Sequence, residues 1–140
     1  MRIESSVSKE TPLPFPHGIE IELQLIRKDG TWMRGNEILQ IFDRLVSNAK
    51  NLLEKRIRTA ELSSVKKKYR RSLQTEEGER GSRIVVSYEN PEGEVSEFTL
   101  VGHDPNVTSL TWILEVATPP CTTLEELAWW VQTLVAVSYE

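Results

Sequence analysis

Two short acidic segments near opposite ends of the chain carry residue types that could bind metal ions. The first is Gly18–Leu25, of sequence GIEIELQL, and the second is Leu114–Glu126, of sequence LEVATPPCTTLEE. Each segment places carboxylates among aliphatic residues in a strand-like pattern. A strand that puts charge at positions suited to a protein core usually has a ligand for that charge. These carboxylates are therefore candidate cation ligands.

Strand alternation predicts that Glu20, Glu22 and Gln24 share one face and the aliphatic residues between them share the other. The two glutamates then stand about 7 Å apart and point the same way. This spacing suits two carboxylates that share or flank a hard divalent cation such as Mg²⁺. The polar side of an ordinary half-exposed strand gives the same alternation, so the pattern alone leaves both interpretations open.

Glu115 is an isolated carboxylate in the apolar run Trp112–Ala117. A charge in such surroundings needs a cation or a partner of opposite charge. The functional interpretation is a third metal ligand beside Glu20 and Glu22. The structural alternative is a salt bridge, for example with Arg83 on a neighbouring strand.

The order and strand context of the two motifs resemble the glutamate–cysteine ligase type 2 family of ATP-dependent carboxylate–amine ligases. That family has a first strand of the form Gly-x-Glu-x-Glu and a later strand Glu-Val-Ala-Thr-Pro followed by a helix. The matching residues are Gly18, Glu20 and Glu22, and then Glu115–Pro119. Residues 31–101 carry no diagnostic motif.

The resemblance implies ATP and Mg²⁺ as cofactors, with Glu20, Glu22 and Glu115 as metal ligands. It implies an amino acid and an amine as substrates and an amide such as γ-glutamylcysteine as product, a step of glutathione biosynthesis. Family members are considerably longer. We therefore expect residues 1–140 to be one domain, the N-terminal part of a longer catalytic domain, and to be inactive alone. A missing C-terminal portion or a second copy would complete it.

Three further residues are candidate substrate contacts. His103 and Asp104 are predicted to lie in a loop before the Glu115 strand, at the mouth of the site. Asp104 also begins an Asp-Pro-Asn sequence that is typical of a turn. Thr118 belongs to the second motif, and its hydroxyl could contact substrate or simply pack at the end of the strand.

A basic run, Lys66–Arg71, contains Tyr69 and suggests an alternative function. A non-catalytic module derived from the same fold could bind nucleotide or RNA with these cations and stack a base on the tyrosine. The net charge of −4 argues against a nucleic-acid partner. We therefore expect the run to be a solvated surface that is exposed and dispensable for folding.

Composition places the chain among ordinary globular proteins. It has 140 residues, 39% of them hydrophobic and 27% charged, with one cysteine and two histidines. These numbers exclude an intrachain disulfide and a zinc centre built from cysteine or histidine alone. No apolar run is long enough for a membrane span or a signal peptide, so we expect a cytoplasmic protein.

Local patterns predict an α+β fold, a mainly antiparallel sheet with helices on one face, as in part of a glutamine-synthetase-like catalytic domain. Residues 1–17 read as an irregular lead-in, and 18–27 as the first strand. An amphipathic helix is expected over 36–56, a charged loop over 76–81, a hairpin over 83–101, a strand over 109–118 and a helix from 124. The sheet face without helices is expected to carry the three glutamates and to stay open.

Overall fold

A five-stranded antiparallel sheet forms the centre of the fold. The computed structural model describes residues 10–69, 72–78, 81–103 and 113–139. The strands are β1 (Pro12–His17), β2 (Glu20–Gln24), β3 (Gln74–Gly78), β4 (Gly81–Glu89), β5 (Val95–His103), β6 (Ile113–Ala117) and β7 (Cys121–Thr123). The order in the main sheet is β2–β6–β5–β4–β3, and β1 pairs with β7 in a separate small sheet.

The described residues also form three helices: α1 (Gly35–Arg58), α2 (Ser63–Lys68) and α3 (Leu124–Tyr139). The buried residues of α1 recur at helical spacing and include Ile38, Phe42 and Val46. They belong to one apolar core with α3 and the inward side chains of the sheet, so the α+β prediction is confirmed. No helix in the described ranges is long and apolar enough to cross a membrane.

The predicted hairpin is present as β4 and β5, joined by a turn over residues 90–93. The Asn90 side chain accepts a hydrogen bond from the Glu94 N–H at 2.9 Å, which closes the turn. Along the pair the register shifts, because Val85 pairs with Thr99 but Ile84 pairs with Val101. Leu100 is the extra residue of a β-bulge.

The expectation of an irregular lead-in is wrong for residues 12–17, which form strand β1. Its prolines are compatible with a strand because β1 pairs on one side only, with β7. The strand is anchored where Thr11 donates from its backbone N–H (2.6 Å) and its hydroxyl (2.7 Å) to the Glu125 carboxylate. These hydrogen bonds lower the pKa of Glu125.

The charged loop expected at 76–81 is wrong for residues 76–78 and 81, because β3 extends to Gly78 and β4 begins at Gly81, while residues 79 and 80 lie outside the described residues. Gly81 has φ +111°, and a Cβ there would lie 2.7 Å from Phe42 Cδ1 on α1. Only glycine avoids both the backbone strain and the clash. The start of β4 therefore fits closely against α1.

The basic run is not uniformly exposed, so that prediction is wrong for Lys68 and Tyr69. The Lys68 side chain is only 12% exposed, and its Nζ lies 2.9 Å from Glu126 Oε1. The Tyr69 hydroxyl donates to the same oxygen at 2.5 Å. The physical reason is Glu126 on α3, whose fully buried carboxylate needs donors. Arg70 and Arg71 lie outside the described residues.

We predict that the three lysines of α2 differ sharply in their effect on stability. Lys68→Gln leaves the Glu126 charge buried without its counter-ion, and should lower the free energy of unfolding by about 3 kcal/mol. Lys66→Gln and Lys67→Gln change exposed side chains and should stay within about 0.5 kcal/mol of the parent chain. Urea denaturation of the three variants measures this. Equal effects at all three positions would contradict the assigned role of Lys68.

Candidate functional site

The two motif segments lie side by side as the adjacent strands β2 and β6. The antiparallel register places Glu20 opposite Ala117, and Glu22 opposite Glu115. Segments from opposite ends of the sequence thus form a single structural unit. The backbone pairing thus fixes which residue of the first motif lies opposite which residue of the second.

The three glutamates project from the face of the sheet opposite to the helices. Ile21 packs against the core, and Val116 is 1% exposed within it, so the alternating positions point away. Paired residues of antiparallel strands have Cα atoms about 4.5–5.5 Å apart. The carboxylates of Glu22 and Glu115 are therefore cross-strand neighbours, and Glu20 is next to Glu22 on the same face.

Exposure differs among the three carboxylates. Glu20 and Glu22 are exposed on β2, which is an edge strand of the main sheet, whereas Glu115 is half-buried on β6. Within the described ranges, no three His, Cys, Asp or Glu side chains are grouped to hold a metal ion. The donor chemistry suits Mg²⁺, but binding requires side chains on this face to rotate toward a common point. Metal ligation by these residues stays a prediction.

Thr118 connects the two motifs at the end of the strand pair. Its hydroxyl accepts a hydrogen bond from the Ile19 N–H at 2.9 Å, and its own N–H donates to the Ile19 carbonyl at 2.9 Å. Gly18 approaches closely, since a Cβ there would lie 3.4 Å from the Thr118 carbonyl oxygen. Thr118 is 1% exposed. These contacts give it a structural role, and substrate contact by Thr118 stays a prediction.

The other two candidate substrate contacts are placed only in part. His103 was expected in a loop, but it is the last residue of β5 and pairs with Leu114. The strand continues through it because β6 is available as a partner on that side. Asp104 lies outside the described residues, so neither its turn nor its substrate role is tested.

A row of five residues crosses the main sheet through Glu115, one from each strand. Glu22 lies opposite Glu115, and Glu115 lies opposite Gly102. A Cβ on Gly102 would lie 3.8 Å from the Arg83 Cβ, and Arg83 pairs with Glu76. No side chain therefore stands between Glu115 and Arg83 in this row.

Arg83 and Glu76 make an ion pair on β4 and β3. The arginine donates from Nε (3.1 Å) and Nη2 (2.8 Å) to Glu76 Oε2. Sequence reasoning named Arg83 only as a structural partner of Glu115 and did not identify Gly102 or Glu76. The bulge at Leu100 sets the register that places Gly102 beside Arg83, and no local signal in the sequence predicts it.

The face that carries the glutamates is not open throughout, contrary to expectation. Val85 and Ser87 of β4 alternate with core residues and so point to this face, yet they are 5% and 8% exposed. Gly102 is buried as well. The exposed glutamates of this face include Glu20 and Glu22 on β2 and Glu97 on β5, whereas Glu115 is half-buried.

Comparison of the chain with protein-family models, with curated proteins and with solved structures gave no match. The resemblance to glutamate–cysteine ligases thus depends on the two motifs. In the structure the two motifs lie together: Glu22 and Glu115 are paired in adjacent strands, and Gly18 lies beside Thr118 at the end of that pair.

We predict an energetic coupling between Glu22 and Glu115. Like charges directly opposite in a sheet destabilise the pair by roughly 0.2–1 kcal/mol, so each Glu→Gln change relieves the same repulsion. The double variant should then be less stable than additivity of the two changes predicts. Urea denaturation in a double-mutant cycle measures the coupling, which should shrink at high salt.

The matched control cycle uses Glu22 with Glu97, an exposed glutamate of β5 that pairs with Ser87. This pair does not adjoin in the sheet, so its two changes should add. Additivity in both cycles would contradict the cross-strand placement of the two carboxylates.

Proposed function

We propose that this chain belongs to an ATP- and Mg²⁺-dependent carboxylate–amine ligase of the glutamate–cysteine ligase kind. The observation that supports this most is the register that puts Glu22 opposite Glu115. Two motifs resembling the same enzyme family, far apart in sequence, thereby contribute neighbouring carboxylates to one face. An ordinary polar strand face requires no such coincidence.

The proposed reaction has two steps. A substrate carboxylate attacks the γ-phosphorus of ATP, the bond to the β–γ bridging oxygen breaks, and ADP and an acyl phosphate form. The nitrogen of an amine then attacks the acyl carbon, phosphate leaves, and the amine loses a proton to give the amide. Negative charge on the phosphoryl oxygens must be neutralised and held in place during the first step. Mg²⁺, when bound, supplies the positive charge that neutralises these oxygens.

The residues of this chain contribute charge and position. Glu20, Glu22 and Glu115 are carboxylate ligands of the kind that Mg²⁺ takes. Arg83 lies across Gly102 from Glu115 and adds a positive guanidinium to the same face. A phosphate group between metal and arginine would then meet positive charge on both sides, and Arg83 would exchange its contact with Glu76 for it.

The remaining parts of the proposal concern context. We place the chain in the cytoplasm, as the N-terminal part of a catalytic domain that binds an amino acid and an amine. In the alternative of nucleotide or RNA binding through residues 66–71, Tyr69 would stack on a base. It cannot do so here, because it is 4% exposed and its hydroxyl donates a hydrogen bond to Glu126. No observation in the described residues favours that alternative.

Metal-dependent nucleotide binding is the first test. We expect ATP with MgCl₂ to raise the melting temperature of the chain, while either alone has a smaller effect. Ligand at 100 times its Kd stabilises a folded protein by about 2.7 kcal/mol. Glu22→Gln and Glu115→Gln should abolish the Mg²⁺-dependent part of the shift. The matched control Glu97→Gln changes an exposed glutamate of the same sheet and should keep it.

Two results would count against the proposal. One is an ATP-induced shift that does not need Mg²⁺ and fades steeply with salt, as expected for a basic phosphate-binding patch. The other is an equal loss of the shift in Glu97→Gln and Glu22→Gln. Phosphate release from ATP with glutamate and cysteine, and its loss in Glu20→Gln, tests the ligase chemistry itself in any longer chain that contains these residues.

A further inference from the structure

A cavity of about 270 Å³ lies on the helix side of the sheet, away from the glutamate face. It is lined by three prolines and by five residues with polar groups: Pro16, Pro91, Pro120, Lys68, Tyr88, Asn90, Glu92 and Thr122. These residues come from β1, the end of α2, the β4–β5 hairpin and the segment through β7. Four separate parts of the chain therefore converge on one space.

The ammonium group of Lys68 is at the base of this cavity. Its Nζ donates to the Pro120 carbonyl at 3.2 Å and lies 5.7 Å from the centroid of the Tyr88 ring, and both residues line the space. Its other acceptor is Glu126 Oε1, at 2.9 Å. An ammonium has three N–H donors. Among the described residues only two acceptors meet Lys68, so one donor is available to a guest.

Charge decides which acceptor fits. The Lys68 charge is already balanced by Glu126, whose carboxylate has no exposure. An entering anion would meet that carboxylate at short range and the Glu92 carboxylate in the lining. A neutral carbonyl oxygen takes the free N–H without this repulsion.

The lining residues indicate that most of the bound molecule is apolar. Proline has no N–H to donate, so the prolines offer mainly apolar surface, and the Tyr88 ring adds a flat one. The Asn90 side chain, which also lines the cavity, is already hydrogen-bonded to Glu94. A pocket with these apolar surfaces and the Lys68 donor suits small molecules that carry an acceptor on an apolar frame.

We propose that this cavity is a binding site for a small neutral molecule with an apolar ring and a carbonyl oxygen. The carbonyl accepts the third N–H of Lys68, and the ring packs among the prolines and Tyr88. This site is independent of the proposed ligase chemistry, because it lies on the other face of the sheet.

The test uses three ring compounds of similar size in ¹H–¹⁵N correlation titrations of the full chain. N-methyl-2-pyrrolidone offers a neutral carbonyl, cyclopentanecarboxylate an anion, and methylcyclopentane no acceptor. We expect N-methyl-2-pyrrolidone to shift the amide signals of residues 88–90, 92 and 121–122 and to saturate at millimolar concentration, as small fragments do. The other two should bind at least fivefold more weakly. Tighter binding of the anion, or no saturable shift with any compound, would overturn the proposal.

Two variants separate occupancy from the role of lysine. Thr122→Leu fills the cavity without touching the Lys68–Glu126 pair and should abolish binding, whereas the control Thr75→Leu on β3 should retain it. Lys68→Met, Tyr69→Phe and Glu126→Leu together replace the ion pair and the hydroxyl bonded to it by apolar residues, an exchange that folded proteins often tolerate. This triple variant should bind N-methyl-2-pyrrolidone no better than methylcyclopentane. A retained preference for the carbonyl compound would show that Lys68 is not the donor.

Discussion

The buried carboxylate of Glu126 constrains how the helices, the basic run and the β1–β7 sheet fit together. It has no exposure, and it receives hydrogen bonds from Lys68 and Tyr69 at the end of α2. Burial, reinforced by this negative charge, raises the pKa of Tyr69 and of the Cys121 thiol, so both stay neutral. The lysine-rich end of α2 and the acidic first turn of α3 are thereby joined inside the protein.

The pairing of β2 with β6 constrains the opposite face of the sheet in the same way. Apolar side chains on the core side, such as Ile21 and Val116, fix the register, because a slip by one residue would turn them to solvent. The same register also fixes the positions of the acidic residues on the opposite face. The position of Glu22 beside Glu115 is therefore stabilised by core packing rather than by any attraction between the carboxylates.

The sequence predicted correctly those elements that interactions between residues close in the chain determine. The periodicity of α1, the turn of the β4–β5 hairpin and the start of α3 at Leu124 are of this kind. At the start of α3 the Thr123 hydroxyl accepts a hydrogen bond from the Glu126 N–H at 3.2 Å. Strands β1 and β3 were missed because their partners decide them, and neither has a strongly apolar alternation. In the candidate site, strand alternation predicted that the glutamates share a face, and Arg83 was named as a partner for Glu115. The position of Gly102 between Glu115 and Arg83 was not predicted, since it depends on the bulge at Leu100.

The bulge at Leu100 reverses which residues of β5 face the core, because one residue is left unpaired there. Residues before it follow one alternation, with Phe98 toward the core, and residues after it follow the other, so Val101 is buried beside Leu100 and Gly102 turns to the glutamate face. If the same sequence formed β5 without the bulge, Val101 would lie beside Arg83 and Gly102 would turn toward the core. A change that removes the bulge without shortening β5 would therefore alter which side chains lie beside Arg83 and Glu115, while Glu20, Glu22 and Glu115 stay in place.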